Sequence, residues 1–264
     1  MTEPFARAPE NHMLFESQAH AEALARLHLM LQSGSLGVLT GEIGAGKSTL
    51  IRHLVRLLDH TRFQPIYLVQ AGMKPKDFYS ELLRLLGEET PYYLEKARQL
   101  FHKTLQQRHQ QGDRALVVFL DEAQDVAPSL LLELRFALNQ YMDATSLFSL
   151  VLVGQPELRR TLRLNKHEAL SQRVRLQYHL TGLTAEDTAS YIRHQMKGAG
   201  CATPLFSESA LKLIHSDTRG IPRLINHICA HVLFAVKKLN TEVVEADLIT
   251  RITQDTARQR GSVT

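Results

Sequence analysis

Between Ser17 and Leu31 the apolar residues Ala21, Leu24, Leu27 and Leu31 recur at three- and four-residue spacing, which predicts a helix with one buried stripe. Leu36-Gly37-Val38-Leu39-Thr40 is a short, nearly unbroken apolar run of strand length, and helical spacing returns from Thr49 to Leu58. The same alternation continues down the chain. Pro65 to Val69 reads as a strand, Lys76 to Leu86 as a helix with Phe78, Leu82, Leu85 and Leu86 on one side, and Pro91 opens a long helix to about Gln110. Arg114 to Leu120 is a strongly apolar strand, Pro128 to Met142 a helix, and Leu147–Val153 and Val174–His179 are further strands. Strands alternating with helices predict an α/β fold with a parallel sheet and helices on both faces.

The pattern changes after Leu180. Four helices follow with no strand between them, opened by Thr184-Ala185-Glu186-Asp187, Ser207, Ile221-Pro222 and Thr241. Residues 31–180 are therefore expected to form an α/β core and 181–264 a small all-helical lid and tail.

Composition narrows the class without naming a chemistry. The chain has 264 residues, enough for a large domain or a core with a smaller partner, and its 44% hydrophobic and 22% charged content is that of a soluble globular protein. No apolar run approaches the ~18 residues of a membrane span, and no signal peptide opens the chain. The expectation is a cytoplasmic protein with no membrane partner. Cys201 and Cys229 form no C-x-x-C pair and read as core thiols. His227 and His231 stand four apart on a helix without a third ligand. A net charge of +4 permits contact with nucleic acid but does not argue for it.

The chemistry enters with Gly41-Glu42-Ile43-Gly44-Ala45-Gly46-Lys47-Ser48, followed by Thr49. This is G-x-x-x-x-G-K-S between a strand and a helix, the phosphate-binding P-loop in the context it needs. Glycines let backbone N–H groups face phosphates, and the helix N-terminus adds its positive dipole end. Lys47 is expected on the β- and γ-phosphates and the Ser48 hydroxyl on Mg²⁺. Leu116-Val117-Val118-Phe119-Leu120-Asp121-Glu122 is an apolar strand ending in two acids, the Walker B pattern. Asp121 would hold Mg²⁺ through water, and Glu122 would orient and deprotonate the attacking water, which favours hydrolysis. Gln155, at the tip of the next apolar strand, fits a sensor for the γ-phosphate and the water. Arg173 fits a finger reaching a neighbouring subunit's ATP, with Arg175 as its competitor. Arg223, in Gly220-Ile221-Pro222-Arg223, sits where a cation is unfavourable for the helix dipole, which suits a second phosphate sensor. ATP and Mg²⁺ are the expected substrate and cofactor. Residues 1–30 are expected to pack over this site, with Phe5, His12 and Phe15 as candidates beside the adenine.

P-loop, Asp121-Glu122, strand-tip Gln155, Arg173 and the G-x-P-R of Arg223, in this order, resemble an AAA+ ATPase over nearly the whole chain. The resemblance implies a P-loop NTPase with a parallel-sheet αβα core and a helical lid. Leu14-Phe15-Glu16-Ser17, Asp121-Glu122-Ala123-Gln124, Val153-Gly154-Gln155-Pro156-Glu157-Leu158 and Gly220-Ile221-Pro222-Arg223-Leu224-Ile225-Asn226 are similar to the ExeA/TnsC-like group. That group holds transposition regulators of the TnsC and MuB kind and ExeA/GspA ATPases that help assemble a secretion channel. Secretion members carry a transmembrane helix and a cell-wall-binding region after the ATPase. This sequence ends at Thr264 with neither, so the expectation is the transposition type, with the ExeA/GspA type and a helicase-loader-like ATPase as alternatives. The resemblance then implies a homo-oligomeric ring or helical filament with ATP between subunits. It implies sequence-independent binding of double-stranded DNA, recruitment of a transposase with or without a targeting subunit, and disassembly on hydrolysis. Lys74, Lys76, Arg98 and Lys103 are the candidate DNA contacts, and Arg159, Arg160, Arg163 and Lys166 form an alternative basic surface.

Overall fold

A computed structural model describes residues 4–5, 14–138, 146–201, 205–239 and 243–259. The described chain divides into two compact units: Glu22–Ile43 with Lys47–Leu180, and Met1–Ala21 with Gly44–Gly46 and Thr181–Thr264.

The first unit is built on five parallel strands, β1 (Leu36–Gly41), β2 (Phe63–Val69), β3 (Ala115–Asp121), β4 (Phe148–Gly154) and β5 (Val174–Leu180), in the order β2-β3-β4-β1-β5. Each strand is followed by helix before the next, as parallel pairing requires. The helices are α1 (Gln18–Leu31), α2 (Lys47–Leu57), α3 (Pro75–Leu85), α4 (Leu94–Gln110), α5 (Pro128–Ala137), α6 (Pro156–Leu162) and the short α7 (Glu168–Ser171). β1 and β4 are buried at every position and β3 at all but its first residue, so the interior strands read as continuous apolar runs. The main core joins Val38, Ile66, Val118, Leu120, Leu150 and Leu152 of the sheet to Phe78, Leu82, Phe101, Leu130 and Leu134 of the helices.

The starts of β2 and α4 differ from the sequence reading by more than one residue. β2 begins at Phe63 and runs through Pro65. It is the sheet's edge strand, where a missing N–H leaves no ladder bond unmade. α4 begins at Leu94, not at Pro91: Tyr93 is extended (φ −90°, ψ 136°), and Tyr92 and Tyr93 are exposed, so no burial favours an extra turn. The helix from Pro128 is described as far as Ala137, and residues 139–145 lie outside the described residues.

The second unit is helical, with α8 (Ala185–Gly198), α9 (Glu208–Thr218), α10 (Pro222–Leu239) and α11 (Ala246–Gln259). The Thr184 hydroxyl accepts the Asp187 N–H at 3.0 Å and the Ser207 hydroxyl that of Ala210 at 3.3 Å, two side-chain caps of the expected kind. Thr241 lies outside the described residues, and α11 opens at Ala246. Phe5, Tyr191, Ile192, Leu211, Ile214, Ile225, Cys229, Val232 and Ile249 form the core of this unit. Cys229 is a buried core thiol whose pKa burial pushes up, whereas Cys201 is exposed, against the expectation of two core cysteines. The His227 and His231 rings stack on α10 with centroids 4.4 Å apart. Among the described residues no helix is long and apolar enough to cross a membrane.

Candidate functional site

β3, β4 and β1 are consecutive in the parallel sheet, so their carboxyl ends deliver Asp121, Gly154 and Gly41 side by side. Loops leaving neighbouring strand ends gather at one edge, which is where open α/β sheets place ligands. Gly44 and Gly46 have φ of 85° and 101°, conformations that side chains adopt only with strain. This backbone turns the loop from β1 into α2, whose first residue is Lys47. Lys47 is buried, and its ammonium donates to the carbonyls of Gly41 (2.7 Å) and Glu42 (3.1 Å), folded against the mouth of its own loop.

Asp121 is also buried and gathers its neighbours. The Ser48 hydroxyl donates to Asp121 Oδ2 at 3.4 Å, the Tyr67 hydroxyl donates to the same oxygen, and the Glu122 N–H donates to Oδ1 at 2.8 Å. Burial, and then the bond to Asp121, hold the Tyr67 phenol above its usual range. Ser48 and Asp121 are hard oxygen donors brought within contact of one another. That set fits Mg²⁺, which takes one or two protein oxygens and leaves its other positions to water and phosphate.

Glu122 is one of the few non-glycine residues at positive φ (φ 50°, ψ 40°), a conformation that costs about 1 kcal/mol. The turn that follows, Ala123–Asp125, fixes it: the Asp125 N–H donates to the Glu122 carbonyl at 2.9 Å. Strain of this sort recurs at functional positions. Gln124 then ties the acid to the next strand. Its amide nitrogen donates to Glu122 Oε2 (2.7 Å) and Asp125 Oδ2 (2.9 Å), and its carbonyl accepts the Gln155 N–H (3.0 Å). Gln155 opens α6 as its N-cap, with its side chain capping no helix N–H.

The structure thus brings Lys47, Ser48, Asp121, Glu122 and Gln155 to one edge of the sheet. Arg173 lies just before β5, and its guanidinium donates to the Ala169 carbonyl at 2.7 Å, satisfying the end of α7. Arg175, its competitor, is exposed on β5. Arg223 is exposed near the start of α10, and its N–H donates to the Gly44 carbonyl at 3.3 Å within the unit that groups Gly44–Gly46 with the helices. Phe5 is buried in the helical core and Phe15 packs edge-on against Tyr191 (5.6 Å), so both are packing residues; His12 lies outside the described residues.

Among the candidate DNA contacts, Lys74 and Lys103 are exposed and the Lys76 ammonium stands 4.5 Å over the Tyr92 ring. Arg98 is corrected. Its Nε and Nη2 donate to Glu133 Oε1 (2.7 Å) and Oε2 (2.8 Å), and Tyr79 also donates to Glu133 (2.9 Å). Both prongs of its fork are therefore engaged with an internal carboxylate. Of the alternative basic surface, Arg160, Arg163 and Lys166 are exposed, and Arg160 approaches Glu157 at 4.0 Å.

Sequence reasoning passed over Tyr67, Gln124 and His179. Tyr67 lies in a segment that the sequence marks only as a strand. Gln124 was read only as the last letter of the D-E-A-Q resemblance. His179, near the end of β5, hydrogen-bonds Thr40 (3.1 Å), and burial, then Arg159 and Lys47, push its pKa down.

Fold and site together define a P-loop α/β protein with a helical second unit. The chain belongs to the AAA domain family, whose pattern it matches over residues 29–162. It is 36% identical over 238 residues to General secretion pathway protein A of Aeromonas hydrophila, covering 88% of this chain and 43% of that protein. It is 32% identical over 120 residues to Energy-coupling factor transporter ATP-binding protein EcfA2 of Staphylococcus epidermidis, covering 45% of this chain and 41% of that protein. The chain thus spans less than half the length of these relatives. In fold it is similar to Cdc6p from Pyrobaculum aerophilum (TM-score 0.68, 18% identity, 94% of this chain and 71% of that one). It is likewise similar to the ORC2 protein of Aeropyrum pernix (TM-score 0.63, 18% identity, 93% and 70%).

Proposed function

We propose that the protein is a Mg²⁺-dependent ATPase that works as a nucleotide-driven assembly switch of the General secretion pathway protein A type. The observation that carries the partner reading is 36% identity along 88% of the chain. That relative's printed name places it in secretion, and the similarity includes the unit after the P-loop core as well as the core itself. The expectation of a transposition regulator leaned on where the sequence stops, and the similarity outweighs that ground.

The chemistry follows from the residues at the strand ends. Backbone N–H groups of Gly41 to Ser48 would cradle the phosphates, and Lys47, now resting on two loop carbonyls, would turn its ammonium to the β- and γ-oxygens. Mg²⁺, when bound, would supply neutralisation of the phosphate charge. Ser48 and Asp121 would hold it. Glu122 would accept a proton from the attacking water, Gln155 would contact the terminal phosphate, and Arg223 would contact it from the start of α10. Arg173 or Arg175 would complete the site of a neighbouring copy in a homo-oligomer.

A second reading, an ATPase that assembles on double-stranded DNA to regulate a transposase, is favoured by one surface. Lys74, Lys76, Lys96 and Lys103 accompany the exposed Tyr92 and Tyr93 on and beside α3 and α4. Electron microscopy with a non-hydrolysable ATP analogue separates the readings. Ordered assemblies that form with nucleotide alone support the secretion type. Assemblies that require duplex DNA as well overturn it in favour of the second reading.

A further inference from the structure

The Walker B turn contains a group that the hydrolytic scheme above does not use. The Gln124 amide offers two N–H donors and a carbonyl acceptor. Both donors are engaged by carboxylates, Glu122 Oε2 at 2.7 Å and Asp125 Oδ2 at 2.9 Å, and the carbonyl accepts the backbone N–H of Gln155 at 3.0 Å. The amide has one chemically sensible orientation. Turned over, its oxygen would face two carboxylates and its N–H groups would face another N–H. Gly154 completes the arrangement, because a Cβ there would stand 2.7 Å from Gln124 Oε1. The strand tip carries no side chain at the one place where the Gln124 carbonyl must reach the Gln155 N–H.

We propose that Gln124 is the positioning residue of the hydrolytic site, holding one oxygen of Glu122 and tying it to the tip of β4. The claim rests on Glu122 being the base for ATP hydrolysis. A carboxylate on a turn would otherwise rotate freely about its side-chain torsions. Gln124 fixes one of its oxygens, so the other points in a constant direction for a water. The same amide joins the acid to the backbone of Gln155, so the base and the strand-tip sensor keep one spacing. Asp125 holds the second amide hydrogen and stops the side chain from swinging away.

The test compares the wild type with Gln124→Ala, Gln124→Glu, Gly154→Ala and Glu122→Gln, measuring kcat and KM for MgATP, binding of a fluorescent ADP analogue and the pH profile of kcat. Gln124→Ala is expected to lower kcat roughly 10- to 100-fold, the scale of a small misplacement of a reacting group, while nucleotide affinity stays unchanged. Gln124→Glu sets a third carboxylate against Glu122 and Asp125, so the acid limb of its profile moves to higher pH. Gly154→Ala changes kcat in the same direction as Gln124→Ala without altering the amide itself, and keeps the claim testable if Gln124→Ala folds poorly. Wild-type kcat and pH profile in the Gln124 variants, beside an inactive Glu122→Gln, overturn the positioning role. A parallel loss of nucleotide binding in Gln124→Ala also overturns it, because that marks a merely structural residue. A fully active Glu122→Gln instead overturns the base on which the claim rests, and the two failures are told apart by that one control.

Discussion

Lys47 shows how far one residue's chemistry is readable. Its place in G-x-x-x-x-G-K-S announces a phosphate ligand, and the structure finds the ammonium buried on the carbonyls of Gly41 and Glu42. A buried cation needs such partners, and a phosphate replaces them with a full opposite charge. Lys47→Ala is therefore expected to lose the rise in melting temperature that MgATP gives the wild type; an equal rise in the variant would remove Lys47 from the binding site. Tyr67 and Gln124 were not legible in the same way. A single Tyr on an alternating strand and a single Gln in an acidic turn have no pattern of their own. Their meaning comes from the neighbours that sheet pairing and the left-handed turn at Glu122 bring to them.

At the scale of elements, apolar runs and helical stripes marked the five strands of the first unit and α1 to α5, because interior strands of a parallel sheet have no solvent face to interrupt them, but the short α6 (Pro156–Leu162) was not among the expected helices. Edges and ends were harder. Pro65 within β2 and the late start of α4 depend on which strand lies at the sheet edge and which aromatics stay in water, and neither is a local property. Arg98 illustrates the same limit. It looks like a free helix-face cation, yet it binds the buried Glu133 with both prongs. Among the described residues, Arg98→Ala leaves that carboxylate with the Tyr79 hydroxyl as its hydrogen-bond donor. It is expected to cost about 3 kcal/mol, the low end for breaking a buried pair because Arg98 keeps part of its side chain in water. Urea unfolding measures this, and a loss within the small range of surface pairs would mark the tie as weak.

The segment ahead of β5 carries a second such device. Among the described residues, His167 is buried with no hydrogen-bond partner on either ring nitrogen, and burial, then Lys166, push its pKa below the ordinary 6.5. His102 and His179 shift the same way, mainly through burial. Below 6.5 the unfolded chain takes up protons that the fold refuses, so stability present above that value falls as the pH drops toward the folded-state pKa. Denaturation midpoints taken at about pH 7.5 and about pH 5.5 should fall on acidification, and fall less in His167→Leu. A variant as acid-sensitive as the wild type would assign the effect to the other histidines.

For the whole molecule, the division into an α/β core and four further helices follows from where strands cease in the sequence. The partner does not. Nothing in the apolar pattern distinguishes an ATPase that assembles a secretion channel from one that assembles on DNA, since both need the same strand-end chemistry, and it is similarity along the chain that favours the former. Glu122 is the centre of that shared chemistry. The direct measurement is MgATP binding and turnover by Glu122→Gln beside the wild type. Binding close to wild type with turnover reduced at least about 100-fold is expected for loss of a general base. Turnover equal to the wild type would contradict the central claim.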